Sequence, residues 1–293
     1  MARNFLTGEE LSRDELRALL DRGIELKEGR ATGEGAGALG GASVALLFEK
    51  PSTRTRVSFE VGVAELGGIP LVLRGDELQL ARGESAGDTA RVLSRYVGTI
   101  VVRAGSHALV AELAEAGTVP VINALTPDHH PCQALADLLT LKERFGALDG
   151  LKVAYVGDGN NVARSLALLG AAAGVEVRVA SPEGYRLEPG VAALDTDDPR
   201  AAADGADAVY TDVWVSMGDE ADAAGRRADL APYQVNAELL AVAANRAIVL
   251  HCLPAHPGEE ITEDALYGER SAVWDQAENR LHAQKALLEL LLA

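Results

Sequence analysis

Along the chain, short apolar runs alternate with longer stretches whose apolar residues fall three or four apart, as strands interleaved with amphipathic helices would. Leu16, Leu19, Leu20 and Ile24 form one such helical stripe. Two capping signatures precede it, Thr7 with Glu10 and Ser12 with Glu15, so a first helix is predicted to open there. Past a Gly/Ala-rich loop over 31–42, Ser43–Phe48 reads as a buried strand, and a helix follows from about Thr53 to Gly67 and Gly68. Further strands are predicted at 70–74, 99–103 and 119–122, with helices around 85–96 and 107–116 between them. A helix over 131–145 separates this set from a second one. The rhythm restarts after Asp149 and Gly150, with strands at 151–157, 175–180, 206–213 and 246–253 and a last helix from about Asp275 onward.

Strands that alternate with helices imply parallel sheets covered on both faces. The expected fold is α/β, with two doubly wound parallel-sheet domains of similar size joined by crossing helices and a C-terminal helix returning to the first domain. The domains are expected at 1–145, with 276–293 packing back on it, and at 146–275. Ligands in such sheets bind beyond the carboxyl ends of the strands. The chemically suggestive residues collect there: 52–56, Arg103, Asn160 with Asn161, 212–218 and 251–254.

Composition narrows the possibilities by exclusion. With 44 acidic and 27 basic residues the formal net charge is −17, so no basic stripe is available for nucleic acid or anionic lipid. A small anionic substrate remains compatible, because a local arginine cluster can dominate the field inside a cleft. Cys132 and Cys252 form no disulfide framework. The first residues do not read as a secretory signal, and no run approaches the roughly 18–20 apolar residues of a membrane span. A cytoplasmic location is therefore expected.

Six motifs carry candidate chemistry. In "PSTRTR" (51–56), backbone N–H groups at a helix start and the hydroxyls of Ser52, Thr53 and Thr55 suit an anion. Arg54 and Arg56 add forked cationic donors, one of which is expected to reach the ligand. Simple N-capping beside solvated arginines would use the same residues. In "HHPCQ" (129–133), His130 can donate to a carbonyl oxygen and Gln133 shares its helix face, although helix capping is the plainer reading. "GDGNN" (157–161) fails the G-x-G-x-x-G pattern at Val162. A nicotinamide cofactor thus stays an alternative, while the amides of Asn160 and Asn161 better suit the polar end of an amino acid.

"TDVWVSMG" (211–218) places Asp212 where it can meet an ammonium group, with the Ser216 hydroxyl and exposed amides available to a carboxylate. An ordinary loop around a half-buried Trp214 is the alternative. In "HCLPAH" (251–256), Cys252 is either a proton acceptor or an inert buried thiol. Zinc held by His129, His130, Cys132, His251, Cys252 and His256 is a rival, but neither C-x-x-C nor H-E-x-x-H spacing is present. Arg280 opens the last helix, where a cation suits the dipole poorly, so it is expected to serve an anion.

Taken together, "STRTR", "HPxQ", "DVWVSMG" and "HCLP" resemble the aspartate/ornithine carbamoyltransferase family over essentially the whole chain, the last two motifs pointing to its ornithine-using members. The resemblance implies transfer of the carbamoyl group of carbamoyl phosphate to the δ-amine of L-ornithine, giving L-citrulline and phosphate, in arginine metabolism. Ser52, Thr53, Arg54 and Thr55 would hold the phosphate. Arg103, His130 and Gln133, with Thr55, would surround the carbamoyl group, and Arg280 would reach the same substrate. Gln79 would do so from an adjacent chain of a homotrimer. Asn161, Asp212, Ser216 and Met217 would bind ornithine, and Cys252 and Leu253 would bind carbamoyl phosphate and lie beside the ornithine side-chain amine. Arg54, Arg103, His130, Asp212 and Cys252 would be catalytic, without a cofactor or metal. Pro257, where the family usually has Arg, and Ala81, where it usually has Gly, depart from the pattern in two loops. Another amine, putrescine or N-acetylornithine, is the nearest alternative substrate; a nicotinamide-dependent dehydrogenase or a non-catalytic amino-acid-binding protein is more distant.

Overall fold

Ser43–Phe48 (β1) is buried almost end to end rather than on alternate residues, as a strand covered on both faces must be. It pairs in parallel with Ile69–Arg74 (β2) on one side and Thr99–Arg103 (β3) on the other; β3 in turn pairs with Val121–Leu125 (β4). The sheet order is β2-β1-β3-β4. In the second sheet Lys152–Val156 (β5) is central and pairs with Glu176–Ala180 (β6) and Ala208–Thr211 (β8). Leu194–Thr196 (β7) and Ile248–His251 (β9) form its edges, giving the order β7-β6-β5-β8-β9, again all parallel. The computed structural model describes residues 2–216 and 220–292. It divides into two compact units, Met1–Leu139 with Asn279–Ala293, and Thr140–Glu278.

Each strand order doubles back once, between β1 and β3 in the first unit and between β5 and β8 in the second. Helices leaving the two strands at such a point pass to opposite faces, so a crevice opens at their carboxyl ends. The expected two-sheet α/β architecture is thus observed, and its polar strand-end residues occupy these two places.

Local physics explains where the elements begin and end. Ser12 and Glu15 form a reciprocal capping box at the helix Arg13–Glu28. Thr7 and Glu10 open no helix; the Glu10 carboxylate instead accepts the N–H groups of Leu6, Thr7 and Gly8. The strand expected at 119–122 starts later, since Pro120 has no N–H to give a ladder and contributes only its carbonyl, to Ile100 N–H. β4 also gains an edge partner at Phe5, whose N–H donates to the Val121 carbonyl and whose carbonyl accepts from Asn123. β7 was invisible in the sequence because three residues at an edge show no apolar period. Among the described residues no helix is long and apolar enough to cross a membrane.

The last helix, Val273–Leu292, contributes its residues from Asn279 onward to the first unit. Close approach to the helix Thr53–Glu65 depends on Gly62, where an added Cβ would lie 3.2 Å from Lys285 Cγ and 3.4 Å from Leu281 Cδ1. Lys285 is buried, with its side chain 1% exposed, and its Nζ donates to Glu65 Oε2 at 2.9 Å. Arg30 reaches the other carboxylate oxygen. Burial alone would raise the Glu65 carboxyl, but the hydrogen bonds from Lys285 and then Arg30 outweigh it and hold the group below its ordinary 4.5.

A depressed carboxyl pKa stabilises the fold above the unfolded value, and that contribution is lost as pH falls through the folded one. Glu65→Gln is expected to cost about 2 kcal/mol at neutral pH, because it removes the counter-charge of a buried ammonium. Urea unfolding of variant and parent measures this, and the gap between them should close as pH falls below 4.5.

Candidate active site

At the switch point of the first sheet, the chain leaving β1 turns into the helix Thr53–Glu65 with Ser52 as N-cap. Ser52 makes no side-chain capping bond there, so the plain N-capping reading of "PSTRTR" does not describe it. Its Oγ instead lies 3.5 Å from Arg103 Nη1, at the end of β3. Arg103 is only 9% exposed, and its Nε is buried with no hydrogen-bond partner. Among the described residues it has no carboxylate partner. Thr55, His130, Gln133 and Arg280 are buried with it. Arg280 Nη2 donates to Thr55 Oγ1 at 3.2 Å and Nη1 to Gln133 Oε1 at 2.9 Å. The Gln133 amide then donates to Asp137 Oδ1 at 2.8 Å, so both its ends are oriented.

Electrostatics follows from this crowding. Burial, then the charges of Arg280 and Arg54, pushes the Arg103 guanidinium down to about 10. Burial and the charges of Arg280, Arg103 and Arg54 hold the His130 imidazole well below its ordinary 6.5, and so neutral. A neutral imidazole donates one hydrogen bond without adding a fourth positive charge. Of the two arginines in the motif, Arg54 contributes to this field, whereas exposed Arg56 pairs with Glu60 at 3.3 Å along its own helix. Cys132 is buried and pushed up to about 12, first by burial, and its thiol donates to the Asn123 carbonyl. It is a packing residue.

At the switch point of the second sheet, Asp212 follows β8 and is nearly buried. Its Oδ1 accepts from Cys252 Sγ at 2.8 Å, and its Oδ2 accepts from Asn160 Nδ2 at 2.8 Å. Asn160 caps the helix Asn161–Ala173, its Oδ1 accepting from the Val162 and Ala163 N–H groups at 2.9 and 3.2 Å. This corrects two expectations. The Asn160 amide is committed within the protein rather than offered to an amino acid. The helix N–H groups that a dinucleotide pyrophosphate would need are already capped, which disfavours the nicotinamide reading.

Cys252 stands in a turn set by its neighbours. The buried His251 Nδ1 accepts from Leu253 N–H at 2.9 Å, which places the ring proton on Nε2, facing Glu260 Oε1 at 3.1 Å. Leu253 is held at φ 61°, a left-handed conformation uncommon for a branched residue. Asp212, His251 and Cys252 bring potential metal-ligand atoms within 4.8 Å of one another. Both His251 nitrogens are nonetheless engaged elsewhere, so the ring has no lone pair to turn toward the thiol. Trp214, expected half-buried, is buried, and its carbonyl accepts from Arg226 Nε at 2.7 Å while Arg226 also pairs with Asp158.

The remaining expected residues are placed as follows. Thr53 is exposed at the helix start, and Asn161 and Ser216 are half-buried in the second unit. Gln79 is exposed on a short turn, Gln79–Arg82, and makes no side-chain bond to the arginine group. Met217 lies outside the described residues. Pro257 is exposed in a turn that the Gly258 N–H closes onto the Ile261 carbonyl at 2.8 Å. Sequence reasoning missed Asp137, Tyr155 and Glu260. Only Asp137 left a signal, its four-residue spacing from Gln133 on one helix face.

Comparison with known proteins finds similarity over the full length. The carbamoyl-P binding domain of aspartate/ornithine carbamoyltransferase matches residues 3–143, and its Asp/Orn binding domain matches residues 149–291. The ornithine carbamoyltransferase of Acidothermus cellulolyticus is 55% identical over 100% of this chain and 97% of its own length. That of Symbiobacterium thermophilum is 52% identical over 99% and 98%. Among solved structures, ornithine carbamoyltransferase from Pyrococcus furiosus superposes with a TM-score of 0.95 at 47% identity, covering 99% of this chain and 97% of that one. The Thermus thermophilus enzyme gives 0.92 at 46% identity, covering 100% of both. Two parallel-sheet units, two family domains that match residues 3–143 and 149–291, and full-length relatives at more than half identity make this chain a member of the aspartate/ornithine carbamoyltransferase family.

Proposed function

We propose that this protein transfers the carbamoyl group of carbamoyl phosphate to the δ-amine of L-ornithine, releasing L-citrulline and phosphate. The observation that carries this reading is the buried Arg103, with no carboxylate partner among the described residues, amid the charges of Arg54 and Arg280 and beside a neutral His130. A buried guanidinium without an anion is costly, and a small dianion supplies what is missing. Ser52, Thr53, Arg54 and Thr55 hold the phosphate; Arg103, His130, Gln133 and Arg280 hold the carbamoyl end.

Ornithine lies with its α-groups toward Asn161, Ser216 and Met217 and its side-chain amine toward Asp212, Cys252 and Leu253. An alkyl ammonium of ordinary pKa, about 10.4, is not nucleophilic at neutral pH and must lose a proton first. Asp212 draws the ammonium in and accepts its proton, either directly or through Cys252, whose thiol passes its own proton to Asp212 Oδ1 as the sulfur takes the one from nitrogen. The amine nitrogen then bonds to the carbamoyl carbon as the bond from that carbon to the phosphate oxygen breaks, and the nitrogen's excess proton passes to the departing phosphate. Charge growing on the carbonyl oxygen is met by Thr55, Arg103 and His130, and phosphate departs among the arginines. In this reading the protein is a cytoplasmic homotrimer of arginine metabolism, and Gln79 of a neighbouring copy completes the carbamoyl phosphate site.

Citrulline and phosphate release, measured with carbamoyl phosphate and each of ornithine, putrescine, N-acetylornithine and aspartate, should be highest with ornithine. A preference for another amine would move the assignment within the family; no release with any of them would sink it. Arg54→Gly should lower turnover on the order of 10²–10³-fold while the circular dichroism spectrum stays that of the parent. Finally, the His130 ring should keep its neutral NMR signature between about pH 6 and 8. A signal titrating near 6.5 would contradict the electrostatic account.

A further inference from the structure

Every polar atom of the Asn160 side chain has a partner inside the second unit. Its Oδ1 accepts from the Tyr155 hydroxyl at 3.1 Å as well as from the two helix N–H groups, and its Nδ2 donates to Asp212 Oδ2. Three donors converging on one oxygen allow a single orientation of the amide, since a flipped group would set its NH₂ against all three. Tyr155 is fully buried, and burial, then the charges of Asp212, Cys252 and Asp158, keep its phenol well above the ordinary 10. It therefore stays a donor. Neighbouring Asp158 is neutralised by Arg226. Among the described residues, by contrast, no cation pairs with Asp212. Its two oxygens meet only an amide and a thiol, donors that orient a carboxylate without cancelling its charge.

We propose that Asn160, locked by Tyr155, is a positioning residue: it pins Asp212 Oδ2 so that Oδ1 alone faces the Cys252 thiol and the incoming ammonium. The inference rests on the reading of Asp212 as the carboxylate that receives the amine. A neutral donor suits this task better than a cation, because a lysine or arginine in its place would compete with the substrate for the same charge. Holding one oxygen also removes rotation of the carboxylate, which would otherwise have to be frozen when the amine binds.

Asn160→Asp separates this role from helix capping. Aspartate caps as well as asparagine does, so the helix Asn161–Ala173 should stay formed and the circular dichroism spectrum should stay that of the parent. Its second oxygen, however, sets a like charge against Asp212 where a donor stood. The KM for ornithine should rise about tenfold or more, with the KM for carbamoyl phosphate unchanged. Alkylation of Cys252 by iodoacetamide should also need a higher pH, because added negative charge opposes the thiolate; Cys132, fully buried, stays silent. Asn160→Ser, which caps but lacks the amide donor, should raise the ornithine KM without that alkaline shift. Tyr155→Phe should raise it less. A folded Asn160→Asp protein with the parental ornithine KM and the parental thiol profile would overturn the proposal. Should that variant not fold, an unchanged ornithine KM in Asn160→Ser would overturn it equally. The alkylation needs no substrate, so a parent protein that makes no citrulline would refute the carbamoyl transfer reading and leave this test standing.

Discussion

Guanidinium groups repel one another, and the first unit assembles them around an imidazole that must stay neutral to be tolerated. Arg280 is tied to Thr55 and Gln133, and Gln133 to Asp137, so hydrogen bonds from neutral groups help fix its guanidinium in place. The repulsion is visible in the depressed Arg103 and His130. Such an arrangement is a preorganised field waiting for negative charge. It is strongest when the charge arrives in a place shielded from water, which is the condition for carrying a phosphate-leaving reaction.

The second unit repeats the topology with the opposite sign. Its switch point presents Asp212, a carboxylate held by neutral donors, with Cys252 on one oxygen and Asn160 on the other. The turn bearing Cys252 is stiffened by His251, whose Nδ1 holds Leu253 in a left-handed conformation and whose Nε2 faces a buried Glu260. One fold principle, a parallel sheet that doubles back once, thus gathers arginines at the strand ends of one unit and a carboxylate at those of the other. The chemistry differs only through the side chains at the strand ends.

The strong net charge of −17 sits comfortably beside this. Acidic residues are dispersed in surface pairs, such as Arg22 with Glu25 and Glu34, whereas Arg103 is buried and has no carboxylate partner among the described residues. Overall charge therefore says little about the sign of the ligand. Local desolvation decides it.

Apolar periodicity by itself determined the strands at β1, β3, β5, β6, β8 and β9 and the helices between them, because buried parallel strands must be continuously apolar. It also placed 52–56, Arg103, Asp212 and Cys252 at strand ends, where parallel sheets bind ligands, while His130 and the roles of these residues were implied by the family resemblance. What it left open was partnership. That Ser52 leaves its helix uncapped, that Asn160 serves Asp212 rather than a ligand, and that Arg56 turns to Glu60 depend on side chains brought together from distant positions or on a choice between rotamers. Hydrogen bonds of that kind have no period along the chain, so only the tertiary structure could decide them.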